Sequence, residues 1–310
     1  MKDKKITCLA GGVGAARFLQ GLARVFPEEN MTVVVNTGDD IELYGLHISP
    51  DIDIVTYTLA GIVDEEKGWG IKNDTFNCLA MLQSYGYETW FNIGDKDMAT
   101  HLYRTEQLKK GASLCEVTAK LAVVNDLRET ILPMTNDEFE TRITTEKGEM
   151  HFQEYMVKHG MQGNVVGVRF EGVERAKPCQ EVINAIAEAS EVIVCPSNPI
   201  VSIGAILSVR GIRRALKETE AKVVAISPIV AGTVVKGPAD KLMRGLGMEV
   251  SAFSVANLYE DFLDAFILDN ADKEQEARVE TLGVKAIVTN TLMKTIEDKM
   301  HLAKVALSCM

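Results

Sequence analysis

"KITCLAGGVGAARFLQ", residues Lys5 to Gln20, joins a short apolar run to Gly11, Gly12 and Gly14 and then passes directly into a helical pattern. Strand, glycine turn and helix in that order open a parallel α/β sheet. Glycines at such a turn let backbone N–H groups come close to an anion, and the following helix adds about half a positive charge at its N-terminus. The same glycines also suit a tight turn that needs them for backbone geometry alone. The dinucleotide fingerprint G-x-G-x-x-G fails here, because a match begun at Gly12 and Gly14 meets Arg17 at its third glycine. No G-x-x-x-x-G-K-[ST] segment occurs, which excludes a P-loop phosphotransferase. Arg17, one turn into the helix, has two open readings: a guanidinium fork turned to phosphate, or a solvated side chain.

Working outward from this turn, apolar runs of strand length recur at 32–36, 89–93, 191–197, 222–227 and 285–289. Most are apolar on both faces, as buried parallel strands are. Helical patterns lie between them at 15–25, 74–84, 98–110, 180–189, 203–218 and 239–246. The alternation predicts an α/β fold with a Rossmann-like, doubly wound, mostly parallel sheet. From about 125 to 160 the rhythm breaks: ETILPM, FETRITT and GEMHFQEYMV alternate polar and apolar residues with the period of two of exposed antiparallel strands. The expected organisation is a discontinuous core, residues 1–124 and 162–310, with a smaller β-rich α+β subdomain inserted at 125–161.

The 310 residues carry a net charge of −11, with 46% apolar and 25% charged content. This composition is globular, and its charge argues against a nucleic-acid-coating protein, which needs a concentrated basic surface. A small-molecule partner is expected, with no nucleic acid and no membrane. No apolar run reaches the roughly 18 residues of a membrane span, and the apolar stretch before Gly11 is too short for a signal peptide, so a cytoplasmic location is expected. The six cysteines, Cys8, Cys78, Cys115, Cys179, Cys195 and Cys309, show no C-x-x-C spacing and read as reduced core residues.

Ligands of an open parallel sheet bind beyond the carboxyl ends of its strands, so the loops there decide the chemistry. After the second strand, "NTGDD" sets Asp39 and Asp40 beside the glycine turn, where they suit a divalent cation shared with diphosphate oxygens, or an ordinary N-cap. "SPDIDIV" places Asp51 and Asp53 at a helix start, as ligands or caps. Trp69, between two glycines, can line a pocket or cover core. "WFNIGDKDMATHLYR" brings Asp95, Lys96, Asp97, Thr100 and His101 together at the head of a helix. "CPSNPIVSIGAIL" holds Ser197, Asn198 and Ser202 around two prolines, good readers of a nucleobase or phosphate and poor catalysts, and "SPIVAGTVVKGPADK" repeats the arrangement with Ser227, Gly232, Thr233 and Lys236. Several such loops in series outline a large polar cleft.

These motifs, with "HFQEYMV" and "VANLYEDFLDAFILD", resemble in order, from about Ile6 to Asp269, the 2-phospho-L-lactate transferase family of coenzyme F420 biosynthesis. The resemblance implies a Rossmann-like enzyme that moves a phospholactyl group from lactyl-2-diphospho-5′-guanosine to the deazaflavin alcohol Fo, releasing GMP and requiring Mg²⁺. It puts the glycine-rich turn on Gly11, Gly12 and Gly14 and the acidic turn on Asp39 and Asp40; with Asn36, Thr37, Ser197, Asn198 and Ser202, the glycines and Asp40 make the expected nucleotide and phosphate side. The deazaflavin side falls on Asp51, Trp90, Phe91, Gly94, Asp95, Asp97 and His101, with Trp90 or Trp69 expected against the tricyclic ring. Asp51 and Asp39 are the expected catalytic residues and metal ligands, with Asp51 nearest the attacking hydroxyl as base or ligand.

Two positions depart from the family pattern. Thr233 stands where a basic residue is common, although Lys236 fits three positions on, and Lys96 replaces a more frequent arginine, keeping charge and losing the bidentate fork. The sequence leaves open whether the donor carries lactate or enolpyruvate. A homodimer is the base-rate expectation. Two rivals are a nicotinamide-dependent dehydrogenase, which Arg17 opposes, and a non-catalytic nucleotide-binding regulator on the same fold.

Overall fold

The computed structural model describes residues 4–309. In chain order the first half contains β1 (Ile6–Ala10), α1 (Gly12–Leu22), β2 (Met31–Val35), β3 (Ile41–Leu43), β4 (Leu46–Ile48), α2 (Pro50–Leu59), α3 (Asn77–Ser84), α4 (Asp95–Lys109), α5 (Leu114–Val124), β5 (Thr130–Pro133), β6 (Glu140–Thr145) and β7 (Gly148–His151). Then follow β8 (Val165–Glu171), α6 (Gln180–Glu188), β9 (Glu191–Val194), α7 (Ile203–Ser208), α8 (Ile212–Glu218), β10 (Lys222–Ile226), β11 (Ile229–Val230), β12 (Thr233–Val234), α9 (Ala239–Gly245), α10 (Ala252–Tyr259), β13 (Ala265–Asp269), α11 (Glu276–Glu280), β14 (Lys285–Thr289) and α12 (Ile296–Leu307).

Seven strands form one sheet in the order β14-β13-β10-β9-β1-β2-β5, with every neighbouring pair parallel. Successive residues of a strand point to opposite faces, so one run of apolar residues feeds two cores. Leu9 of β1 joins Val194, Ala225 and Phe266 on one face, while Cys8 and Ala10 join Val35, Ile193 and Ile267 on the other. The first core is closed by α6, α7, α8 and α10, the second by α1, α2 and α12. The chain leaves β1 toward β2 and β5, and later returns to build β9, β10, β13 and β14 on the opposite side. The switch point therefore lies between β1 and β9, and a crevice opens there at the carboxyl ends.

Several sequence expectations change. Residues 89–93 form no strand; Ile93 packs instead with Ile48 and Met98 in a small core outside the sheet, which an apolar run satisfies equally well. Residues 203–218 form two helices, divided at Gly211, whose φ of 110° no right-handed helix accommodates. Within the segment expected as an antiparallel insertion, Thr130–Pro133 pairs parallel with β2 as the edge strand of the main sheet, where a proline lacking an N–H is tolerated. The antiparallel sheet is β7-β6-β8 and runs on to Glu171, so its strands span 140–171. It packs through Ile143, Phe152, Tyr155 and Val165 onto Val201 and Leu242. All six cysteines are free, with Cys8, Cys179 and Cys195 buried and Cys78 exposed, contrary to its expected place in the core. Among the described residues, no helix is long and apolar enough to cross a membrane.

Candidate active site

The turn after β1 is glycine-rich because three elements crowd it. A Cβ on Gly11 would lie 2.7 Å from both Asp51 Oδ2 and Ser202 Cβ, and one on Gly14 would overlap the carbonyl oxygen of Pro196. Gly12 has a φ of +71°, which favours glycine independently of space. The Gly11 N–H donates to Ser197 Oγ at 3.2 Å, tying the turn after β1 to the loop after β9 across the switch point. Helix α1 starts at Gly12, and the N–H groups of its first turn have no intrahelical partners, so they present an anion site to the cleft that Gly11, Gly12, Val13 and Gly14 line.

Next to this turn stands a buried acidic group held by one amide. Asn36 Oδ1 accepts the Gly38 N–H at 2.8 Å, which fixes the amide's orientation. Its Nδ2 then donates to Asp39 Oδ1 at 3.1 Å and Asp51 Oδ2 at 2.9 Å. Burial pushes the Asp51 carboxyl up to about 7, against the pull of Asn36 and the Gly12 N–H and with help from the charge of Asp40. Asp39 is raised well above the carboxylate range, first by burial and then by the charge of Asp51. Neither has a cationic partner among the described residues. Asp40 faces away from this pair: its Oδ2 accepts Ser49 Oγ at 2.7 Å and meets His47 Nε2 at 3.0 Å.

Below the cleft, α2 and α4 are cross-linked by a network that includes fully buried Arg104. Arg104 grips both oxygens of Asp53, and its second contact, NH1 to His101 Nδ1 at 3.2 Å, sets the histidine tautomer. Guanidinium only donates, so Nδ1 accepts and the proton rests on Nε2, which faces Asp97 Oδ1 at 3.4 Å. Tyr57 donates to the same Asp97 oxygen at 2.7 Å. Burial works against the charge on Asp97, but His101, Tyr57 and Arg104 outweigh it and hold the carboxyl below its usual range. Asp53, Asp97 and His101 lie close enough to share a metal ion, yet Arg104 already fills the cationic position of that trio.

These elements surround a cleft of about 620 Å³. One end, beyond β2, is acidic, with Asp39, Asp51 and Asp97. The other, beyond β10 and β14, is basic, with Lys236 and Lys294 joined by Arg17 of α1. Burial and the neighbouring Arg17 both lower the Lys236 ammonium. No ion pair holds Arg17, Lys236 or Lys294 among the described residues.

Of the residues expected at the site, Gly11, Gly12, Gly14, Asp39, Asp51, Phe91, Asp97, His101, Ser197, Asn198 and Ser202 line this cleft, as does Trp69. Asn36 stands one layer behind as the amide that orients the two acids, and Thr37 is buried with its hydroxyl unpaired among the described residues. Trp90, Gly94 and Asp95 lie outside the lining. Trp90 stacks edge-on against Phe91 and under Lys158. Asp95 caps α3: it accepts from Thr75 Oγ1 at 2.6 Å, the Asn77 N–H at 3.2 Å and the Cys78 N–H at 2.9 Å, and these bonds hold its carboxyl at about 2. Asp74 returns the service to α4, accepting from the Lys96 and Asp97 N–H groups at 2.9 and 3.1 Å. Gly94 is glycine because Asp74 occupies the space of a Cβ. Tyr57, Arg104 and Gln153 also join the site, marked in the sequence only by helical spacing from Asp53 and Asp97 or by membership of "HFQEYMV".

The family model for 2-phospho-L-lactate transferase CofD matches residues 6–302. The chain belongs to the CofD family. It is 44% identical to a phosphoenolpyruvate transferase of Kitasatospora aureofaciens, over 98% of this chain and 97% of that one. It is 42% identical to a 2-phospho-L-lactate transferase of Methanosarcina acetivorans and 41% identical to one of Methanocaldococcus jannaschii, each match covering 96% of both chains. A solved UPF0052 family protein of Bacillus halodurans shares the fold with a TM-score of 0.63 at 16% identity, over 99% of each chain. Membership of CofD makes the chain a transferase acting on phosphate groups and sets aside the dehydrogenase that the glycine turn alone had left open.

Proposed function

We propose that the chain transfers a 2-phospholactyl group from lactyl-2-diphospho-5′-guanosine to the terminal hydroxyl of Fo, giving GMP and the unglutamylated form of coenzyme F420. The observation that carries this reading is the position of Asp51, whose Oδ2 lies within 2.7 Å of where a Gly11 side chain would begin. A carboxylate is thereby held against a diphosphate-binding turn, where an attacking hydroxyl and a phosphorus must meet. The polarity of the cleft supports the orientation: the anionic donor is drawn toward Arg17, Lys236 and Lys294, and the uncharged acceptor enters over Asp97 and the apolar wall.

The acceptor hydroxyl oxygen bonds to the phosphorus bearing lactate, and the bond from that phosphorus to the bridging oxygen of GMP breaks in line. GMP leaves with the bonding electrons, and the Asp51 carboxylate, held against the turn where the hydroxyl and phosphorus meet, accepts the hydroxyl proton. The Val13 and Gly14 amides, left over once Gly11 donates to Ser197 and Gly12 to Asp51, bind the diphosphate oxygens, and Ser197 and Asn198 form the nucleotide side. Asn198 Oδ1 is occupied by the Ile200 and Val201 N–H groups at 3.0 and 3.3 Å, so its amide nitrogen is the group offered to a ligand. Asp39 and Asp51 fit Mg²⁺, since both are buried oxygen donors, both are raised, and no cation balances them. When bound, the ion supplies neutralisation of the charge that develops on the phosphates.

Asp51→Asn is expected to abolish release of GMP while GDP binding stays measurable, and activity retained within a few fold overturns the assignment. A second reading, transfer of an enolpyruvyl phosphate from the corresponding guanylylated donor, is favoured by the 44% identity to the Kitasatospora relative. Mass spectrometry of the product formed from Fo and both donors in competition decides between them.

A further inference from the structure

"HFQEYMV", His151–Val157, has no part in the transfer just described. It is where the small antiparallel sheet meets the acidic loop. His151 Nδ1 accepts the Gln153 backbone N–H at 3.1 Å, so the ring proton rests on Nε2, which donates to the Asp40 carbonyl at 3.0 Å. Glu154 Oε2 accepts the His151 N–H at 3.0 Å. These bonds fix the backbone of Gln153 relative to the loop that carries Asp39. A π-helical turn, Glu154–Lys158, follows at once, a rare conformation frequently found at functional sites.

Gln153 is only 1% exposed and lines the cleft, and its side-chain amide makes no hydrogen bond to any described residue. Its amide atoms are not among the sealed, unpaired ones, so what access they have is through the cleft, where a ligand group can take the place of water. The neighbouring amide and hydroxyl on the cleft are engaged, Asn36 with Asp39 and Asp51, Ser197 with Gly11, whereas both ends of the Gln153 amide are left to a ligand.

We propose that the Gln153 amide binds the acceptor substrate, hydrogen-bonding a neutral group that both donates and accepts, a hydroxyl or an imide edge. This rests on the transferase reading above. The anionic donor is disfavoured as its partner: Gln153 is tied through His151 to the Asp39–Asp40 loop, at the acidic end, while the unpaired cations lie beyond β10 and β14. Phe152 and Met156 flank it on the cleft wall and add apolar surface for a flat ring.

The experiment compares the parent chain with Gln153→Leu and Gln153→Met, following Fo binding by fluorescence titration, steady-state kinetics for each substrate, and thermal denaturation. Both variants are expected to weaken Fo binding about tenfold and raise its KM in parallel. The KM for the guanylylated donor should stay within twofold and the melting temperature should hold or rise, since no protein hydrogen bond is lost. Fo affinity that is unchanged in both variants overturns the proposal, and so does a fall in melting temperature of several degrees, which would show the amide to be structural. A parent chain that neither binds nor turns over Fo would sink the transferase reading itself, a result separate from parent activity that the substitutions leave unaltered.

Discussion

Glu191 offers a test of the electrostatic reasoning away from the site. It is the first residue of β9, at the amino end of the sheet and therefore opposite the cleft, fully buried, and neither carboxyl oxygen has a hydrogen-bond partner among the described residues. Burial, only partly offset by the charge of Lys4, raises its carboxyl from 4.5 to about 8. The folded chain then holds this proton more tightly than the unfolded one, so its contribution to stability is full below the unfolded value and declines as pH rises from 4.5 toward 8. A shift of that size corresponds to a ceiling of about 5 kcal/mol, and relaxation around the charge should leave about half. Glu191→Gln removes the ionisation and keeps the shape. At pH 5 the two proteins should melt together, both burying a neutral, unpaired group. At pH 9 the variant should melt higher by about 5 °C, taking about 2 °C per kcal/mol for a chain of this size. Circular dichroism melts at pH 5, 7 and 9 read the difference directly, because every other titration cancels between the two chains. A gap that does not change with pH, or a variant less stable at pH 9, refutes the account, and turnover should be the same in both.

Gly14→Ala drives a methyl group into the Pro196 carbonyl, and the displaced loop carries Ser197 and Asn198. The expected outcome is at least a tenfold loss of GDP affinity by calorimetry with Fo affinity little changed. Arg104→Met leaves Asp53 buried and unpaired and frees the His101 tautomer, so a loss of about 3 kcal/mol in urea denaturation is expected. The double substitution Arg104→Met with Asp53→Leu should recover much of it, and no recovery would count against the ion pair as the cause.

The sequence announces β1, β2, β9 and β10 because each is an apolar run buried on nearly every position, a pattern that two-sided burial demands, whereas the edge strand β14, buried only at Ala286, is announced by its apolar run alone. It misplaces 89–93 because an apolar run reports burial and not the partner that buries it. "AFILD" of β13, fully buried between β10 and β14, carries no turn signal that separates it from the helix before. Acids at helix starts are ambiguous for a deeper reason. Asp51, Asp74 and Asp95 all precede or open helices, and the same electrostatics that suit a carboxylate to a cap suit it to a ligand. Only the fold separates them: Asp74 and Asp95 exchange caps between α3 and α4, while Asp51 faces the glycine turn.

Asp51 and Glu191 share one physical cause, burial that outweighs whatever favours the charge, at opposite ends of the same sheet. Their surroundings differ in what they prepare. Nothing among the described residues hydrogen-bonds the Glu191 carboxyl, so its charge is simply unfavourable. Asp51 receives the Asn36 amide, which is itself locked by the Gly38 N–H, and it shares that amide with Asp39. This arrangement holds two carboxylates in fixed positions without neutralising either. A structure that orients a pair of like charges and leaves out their counter-charge is less stable alone than one with an apolar residue there, and becomes favourable when a cation or a proton arrives. The acid pair should consequently be the part of the cleft where stability and turnover oppose each other. In chelator at pH 8, Asp51→Asn is expected to melt a few degrees above the parent while its turnover is lost, and added Mg²⁺ should raise the parent and leave the variant unmoved. If Mg²⁺ shifts both equally, the ion binds elsewhere and the pairing of Asp39 with Asp51 has another purpose.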